Sequence, residues 1–381
     1  MIANCLANRS FFRNLLVSLL LLGTGTMSQA QDSTYARRII AALTDSSMYG
    51  RGYSFGGDSV AAQFIRDEFC RLGVQPLGDN YFQRYTQDVY GFEGYCKLAI
   101  NGCDLNPYSD FRIVPAYNDQ RRLAAKRTYQ LGEVTFVGVD KLSTFVPISA
   151  NAMRCPYSVE VRNLPKRVRK VDLQVPIVHF PQYATQNVCG FVPGETDTIV
   201  VLTAHYDHCG TMGDDVLFPG AHDNASGVAA VLDLARVATT HRPHYTMVFM
   251  LFSGEETGLK GSHYAAEHPL IDFDKVRVLL NIDMFCGGAE GFMVVNANAD
   301  NTRPLVDKMT TIAHAVDSSL VIKRRDNAPN SDHYWFSTLC PSLFVYTLGG
   351  PYGGYHDPAD MCAECGLDNY ENFLAILQSL W

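Results

Sequence analysis

The chain has 381 residues, 47% hydrophobic and 18% charged, so it can bury a sizeable core and does not have a disordered composition. That length allows one large domain, or one domain with a smaller insert. A formal net charge of -8 argues against a nucleic-acid partner, which calls for clustered lysine and arginine.

In chain order, Arg9 and Arg13 precede an apolar run at 15–22. Small and polar residues follow, ending Ser28-Gln29-Ala30. This is the order of a secretory signal peptide, expected over 1–30, and it predicts export to the periplasm or beyond. The run is shorter than the ~20 residues of a spanning helix, and no later segment could cross a membrane. Segment 31–84 reads as helix and loop: Val60, Phe64, Ile65, Phe69 and Leu72 recur at helical spacing, and Gly73 is a stop. Over 85–165 short β-prone runs, such as 97–100 and 134–139, sit between turn residues and predict a β-rich insert. Asn101-Gly102 is a hairpin turn that could place Cys96 opposite Cys103. Lys166, Arg167, Arg169 and Lys170 alternate with Val168 and Val171 and read as the solvated face of a strand.

From 166 onward apolar β-prone runs appear at 199–202, 247–252, 276–282, 292–295 and 343–348. Helical patterns lie between several of them: Val228, Val231, Leu232 and Ala235 mark one face, with further candidates at 302–317 and 368–380. Continuous apolar strands alternating with helices predict an α/β fold with a central sheet flanked by helices. Ten of the eleven cysteines follow the leader; in an oxidising compartment some could pair, and buried thiols are an equal reading. Cys362 and Cys365 form one C-x-x-C with no second pair to complete a structural zinc site.

Five polar clusters carry chemistry. His205-Tyr206-Asp207-His208 follows the run 199–202, where ligands of open α/β sheets gather. His205 suits a metal, and Asp207 could accept its other ring N–H. Asp223, in Gly220-Ala221-His222-Asp223-Asn224-Ala225-Ser226-Gly227, can offer one carboxylate oxygen to each of two cations; alone it would read as a helix cap. Glu255 and Glu256 follow the run 247–252; adjacent carboxylates repel unless a cation or proton lies between them. One division puts Glu256 on a metal and leaves Glu255 as proton acceptor for water. Asp283 is embedded among apolar residues, where an unpaired acid is costly. His356 lies in the Gly-rich loop after 343–348.

From about 187 to 360 these motifs resemble the co-catalytic zinc aminopeptidase family, the bacterial leucyl aminopeptidase type. They run His-x-Asp, Gly-x-x-Asp-Asn-x-Ser-Gly, Glu-Glu-x-Gly-x-x-Gly-Ser, Asn-x-Asp, Ser-Asp-His and Tyr-His-x-x-x-Asp. Residues 51–83 also look like the N-terminal part of these enzymes. The resemblance implies a mixed, mostly parallel sheet and peptide substrates with a free N-terminus. It also implies two Zn²⁺ per chain: His205 and Asp283 would hold one, Glu256 and His356 the other, and Asp223 would bridge them. Asp207 would orient His205, and Glu255 would be the general base that activates a zinc-bridging water. Charge counting agrees: two Zn²⁺, three carboxylates and one hydroxide sum to zero. His208, His222 and His333 are expected beside the ligands or substrate rather than on the metals. One departure is Ala328, where some members place a tyrosine three residues before Ser-Asp-His.

The scaffold also resembles single-zinc glutaminyl cyclases. These carry Asp-Gly-Ala and Asp-Gly-Glu-Glu where this chain has Asp223-Asn224-Ala225 and Ser253-Gly254-Glu255-Glu256. A non-enzymatic receptor on this fold would be expected to have lost metal ligands, and all five are present.

Overall fold

The computed structural model describes residues 32–114, 127–144, 158–349 and 354–381; the leader segment 1–30 lies outside these. Helices α1 (Ser33–Leu43) and α2 (Gly57–Leu72) open the chain, and Gly73 ends α2 in the left-handed region at φ 79°. Strands β1 (Gln75–Pro76), β2 (Phe82–Phe92), β3 (Lys97–Ile100), β4 (Cys103–Leu105), β5 (Phe111–Val114), β6 (Arg127–Leu131), β7 (Val134–Val139), β8 (Ser158–Arg162), β9 (Val171–Gln174) and β10 (Ile177–Val192) follow. Then come β11 (Ile199–His205), α3 (Ser226–Thr240), β12 (Thr246–Phe252), α4 (Lys260–Glu267), β13 (Val276–Ile282), β14 (Gly291–Val295), α5 (Arg303–Val316), β15 (Val321–Arg324), β16 (Ser342–Leu348) and α6 (Tyr370–Gln378).

The central sheet has the order β1-β10-β12-β11-β13-β16-β14-β15, with β2 also paired to β10. Its middle ladders, β12–β11–β13–β16, are parallel, and β10 and β14 join them antiparallel. The strand interiors are apolar on both faces because both are covered. Val200, Leu202 and Ala204 pack into a core with α1, α2, α3 and α6, whereas Val201 joins Val248, Met250 and Phe252 against Ala265 of α4 and Phe336. This two-residue alternation needs helices on both sides of the sheet.

Two small sheets, β4-β3-β9 and β5-β8-β7-β6, form where a β-rich insert is expected, around a core of Phe111, Ile113, Phe136, Val159 and Val161 that also takes in Met212 and Phe218 from the loop after β11. Their strands lie between 97 and 174. β2, which begins before the expected limit at 85, belongs instead to the central sheet through its ladder with β10. The basic cluster precedes β9 rather than forming its face: Lys166, Arg167, Arg169 and Lys170 lie exposed in the connecting loop. The Asn101-Gly102 turn forms as expected, both residues having positive φ, 55° and 82°. Its register pairs Cys103 with Ile100, so Cys96 lies too far along the strand to meet Cys103, and both are thiols.

Among the described residues a disulfide joins Cys286 to Cys365 across 79 residues. It ties the segment after β13 to the segment before α6. Cys286→Ser in a Cys362→Ser background should lower unfolding free energy by ~2–4 kcal/mol, the usual worth of a bridge closing a long loop. Urea melts of both proteins without reductant would check this; equal midpoints would show that the bridge adds nothing.

Candidate metal centre

Because β11, β12, β13 and β16 run parallel, their C-terminal ends share one edge of the sheet. His205 is the last residue of β11, Glu255 and Glu256 follow β12, Asp283 follows β13, and His356 lies in the loop after β16. Asp223 arrives on the segment before α3. All five expected ligands converge. His205 Nε2 is 3.2 Å from Asp223 Oδ1 and 3.2 Å from Asp283 Oδ1. His356 Nε2 is 3.2 Å from Asp223 Oδ2 and 3.0 Å from Glu256 Oε2. Asp223 therefore turns one oxygen to each pair.

These separations fit metal ligation. Atoms held at 2.0–2.1 Å around a tetrahedral zinc stand about 3.3 Å from one another. One imidazole N–H cannot point squarely at two carboxylate oxygens on different residues, whereas one cation among three donors can satisfy them all. The electrostatics agree. Burial works against a charge on His205, yet Asp283 and Glu255 together drive its imidazole well above the ordinary range. Burial and Asp223 would raise Glu256, but His356 and His208 together hold the carboxyl at about 2. In each half the acids demand positive charge where the donors meet, and a divalent cation would supply it while leaving both imidazoles neutral.

Asp223 is held from three directions. Asn224 donates from Nδ2 to Ile282 O at 3.0 Å and accepts at Oδ1 from the amides of Gly227 and Met284. Ser226 Oγ donates to His222 O and accepts from Phe285 N, both at 2.7 Å. A Cβ at Gly227 would lie 2.3 Å from Asn224 Oδ1 and from Ile282 O, so only glycine allows this approach. The Asp-Asn-x-Ser-Gly motif is thus a dock that sets Asp223 against the strand end carrying Asp283. The Asp223–Asn224 peptide is cis. From the other side Asp360 accepts the amides of His222 at 2.8 Å and Asp223 at 3.1 Å, coupling the His356 loop to the segment that carries Asp223.

Asp283 is set by a polar chain. Thr203 Oγ1 donates to Asn281 Oδ1 at 2.8 Å, Asn281 Nδ2 to Ser331 Oγ at 2.7 Å, and Ser331 Oγ to Asp283 Oδ2 at 2.7 Å. The Asn-x-Asp and Ser-Asp-His motifs therefore act together across 50 residues. Ser331 and Asn281 were visible as motif letters, but their partners follow only from strand pairing.

Asp207 lies beside His205, but its carboxylate Oδ1 is 3.7 Å from Nδ1, and the Asp207 backbone carbonyl is nearer at 3.2 Å. The carboxylate receives the amides of Glu255 at 3.2 Å and Glu256 at 3.4 Å, and the Tyr53 hydroxyl at 3.1 Å. It thus fixes the turn bearing both glutamates. Burial raises the Glu255 carboxyl well above its usual range; His205 opposes, while Glu256, Asp283 and Asp332 add to the rise.

The remaining histidines differ. His208 Nδ1 meets Glu256 Oε1 at 2.8 Å, His222 Nδ1 accepts Cys286 N at 3.0 Å, and His333 is fully buried with its ring 5.4 Å from that of Phe344. A packed ring with no exposed surface cannot touch substrate, so for His333 only the structural half of the expectation applies. One residue escaped the sequence reading altogether. Arg51, with no exposed surface, donates to the carbonyls of Tyr206, Leu43, Pro219, Gly220 and Asp223. Burial lowers its guanidinium to about 10, against the pull of Asp223, Asp360, Asp207 and Glu256. The signal for it was an arginine between glycines, Gly50-Arg51-Gly52.

Known proteins resemble this chain to different extents. A probable leucine aminopeptidase of Arthroderma otae is 29% identical over 188 residues, 46% of this chain and 50% of that protein. The chain spans half or less of the length of the curated relatives it matches most strongly. Among solved structures, an aminopeptidase from Aneurinibacillus sp. strain AM-1 is similar over 93% of this chain and 94% of its own, with TM-score 0.64 and 18% identity. A glutaminyl cyclase from Bacteroides thetaiotaomicron, solved with N-acetylhistamine, is similar over 92% of this chain and 97% of its own, with TM-score 0.55 and 13% identity. These likenesses establish the α/β fold. The sequence model of peptidase family M28 matches residues 187–380, more than half of the chain and every expected ligand, and the chain belongs to that family.

Proposed function

We propose that this protein is an exported aminopeptidase that holds two zinc ions and removes residues from the free N-terminus of peptides. The observation that carries the reading is Asp223, whose Oδ1 lies 3.2 Å from His205 Nε2 and whose Oδ2 lies 3.2 Å from His356 Nε2, one imidazole of each donor pair. A one-metal enzyme needs only one such pair. Bound there, zinc would polarise the scissile carbonyl and make water a usable nucleophile near neutral pH.

The chain's own residues do the rest. Glu255 takes a proton from the attacking water on its carboxylate and passes it to the leaving amide nitrogen. Asp207, receiving both glutamate amides, keeps Glu255 and Glu256 pointed in different directions. A peptide α-ammonium is drawn to this acid-rich edge of the sheet, which favours chain ends over internal bonds. Met284 follows Asp283, and Tyr355, 43% exposed, lies against the His356 ring at 3.9 Å. Both stand where a substrate side chain would approach.

A panel of aminoacyl anilides, dipeptides and N-acetylated anilides tests the reading, with metal content measured in parallel. Free-amine substrates should be cleaved, and acetylated ones should not. Chelation should abolish turnover, and zinc should restore it at two equivalents per chain. Ammonia release from N-terminal glutamine with a single zinc would instead make the protein a cyclase. Full hydrolysis after complete metal removal would overturn both.

A further inference from the structure

The two halves of the centre are not alike. Around His205 the donors are one imidazole and two carboxylates. Around His356 two more candidate donors stand within reach. The ligand atoms of His208, Cys209, Glu256 and His356 all lie within 4.8 Å of one another. His208 Nδ1 is 2.8 Å from Glu256 Oε1 and 4.0 Å from Asp223 Oδ2, and Cys209 Sγ is 3.9 Å from Glu256 Oε1. His208 is 1% exposed and Cys209 6%.

The simpler account of Cys209 is a small apolar residue, since it adjoins the insert core near Met212 and Phe218. Three observations count against that account as the whole explanation. The sulfur is directed at a carboxylate rather than only at hydrocarbon. The loop that carries it is pressed onto the Arg51 segment: Gly210 N donates to Gly50 O at 3.0 Å, and a Cβ on Gly52 would lie 2.4 Å from Gly210 Cα. That contact fixes the backbone on either side of the thiol. Finally, His208 next to it is a fully buried imidazole whose Nε2 has no hydrogen-bond partner among the described residues.

We propose that Cys209 is a direct ligand of the cation held by Glu256 and His356, with His208 either completing that set or fixing the outer oxygen of Glu256. The thiol gives its proton to solvent as its sulfur joins the metal. The centre then has a soft half containing nitrogen, oxygen and sulfur, and a harder half of one nitrogen and carboxylate oxygens. Thiolate donors favour zinc, cobalt(II) and cadmium over manganese or magnesium. A soft ion should fill the His356 half first, and hard ions should be confined to the His205 half.

The inference rests on the reading that this edge of the sheet binds divalent cations, and cobalt(II) separates the two claims. The metal-stripped full chain is titrated with cobalt(II) while its absorption spectrum is followed. Visible d–d bands report cobalt at the centre whatever its ligands; a near-ultraviolet sulfur-to-cobalt charge-transfer band reports a thiolate. The expected result is a near-ultraviolet band that rises with one equivalent, disappears on adding zinc, and is absent from both Cys209→Ser and Cys209→Ala while their visible bands persist. Visible bands without the charge-transfer band in the wild-type chain overturn the sulfur ligand and leave the metal centre standing. So does a charge-transfer band that survives in Cys209→Ser. No cobalt bands at all would remove the metal centre, and this proposal with it.

Discussion

Glu255→Gln should keep both metals and lose turnover by about 100- to 10,000-fold, the usual contribution of a positioned general base. In energy this is roughly 3–5 kcal/mol of transition-state stabilisation, at 1.36 kcal/mol per decade. The substitution keeps the size and the backbone amide, so the Glu255 N–H bond to Asp207 Oδ1 at 3.2 Å survives and the turn bearing Glu256 keeps its shape. Glutamine cannot accept a proton from water, so the loss should fall on kcat with KM little changed. Glu256→Ala should behave differently. It removes a donor 3.0 Å from His356 Nε2 and should weaken metal at that half as well as activity. Steady-state kinetics on an aminoacyl anilide with parallel metal analysis distinguishes the two. A Glu255→Gln protein that hydrolyses at the wild-type rate would remove this residue from the chemistry.

How the centre could be read before any coordinates follows from what metal binding demands. His205, Glu256 and Asp283 each lie at or just beyond the end of an apolar strand, and an acid or imidazole at such a place is expensive without a partner. Strands can be read from composition, so the shared edge could be inferred from β11, β12, β13 and β16 alone. What could not be read depends on distant partners. β10, the 16-residue strand that joins the insert to the sheet, mixes exposed and half-buried residues along its outer part and so lacks a continuous apolar run. The Cys286–Cys365 bridge spans 79 residues, and spacing does not determine connectivity. Cys96 and Cys103 looked suited to pairing until the two-residue turn fixed Ile100 opposite Cys103. Asp360 stood in a recognisable motif, but its task, gripping the amides of His222 and Asp223, exists only once two loops 137 residues apart meet.

Arg51 is the extreme case, because its partners are carbonyls, which every residue has. Its guanidinium reaches five of them, among them Pro219 O at 2.6 Å, Gly220 O at 2.7 Å and Asp223 O at 3.3 Å, on the very segment that presents the bridging carboxylate. Arg51→Met keeps the apolar stem and deletes the fork. Each buried carbonyl left without a donor costs ~1–3 kcal/mol, so a loss above ~4 kcal/mol is expected, which puts this substitution among the severe ones. Arg51→Lys keeps the charge near Asp223, Asp360, Asp207 and Glu256 but cannot span the same acceptors, and it should fall between. The effect should also extend beyond stability. Asp223 serves both halves of the centre, so slackening its loop should lower affinity for both cations, unlike Glu256→Ala. Denaturant melts with and without zinc, together with metal titrations on the folded protein, would show this. Phe136→Leu, in the insert core, supplies the control, since it should destabilise the chain and leave metal affinity intact. An Arg51→Met protein with wild-type midpoint and two tightly bound metals would mean that the buried guanidinium does not position the bridge.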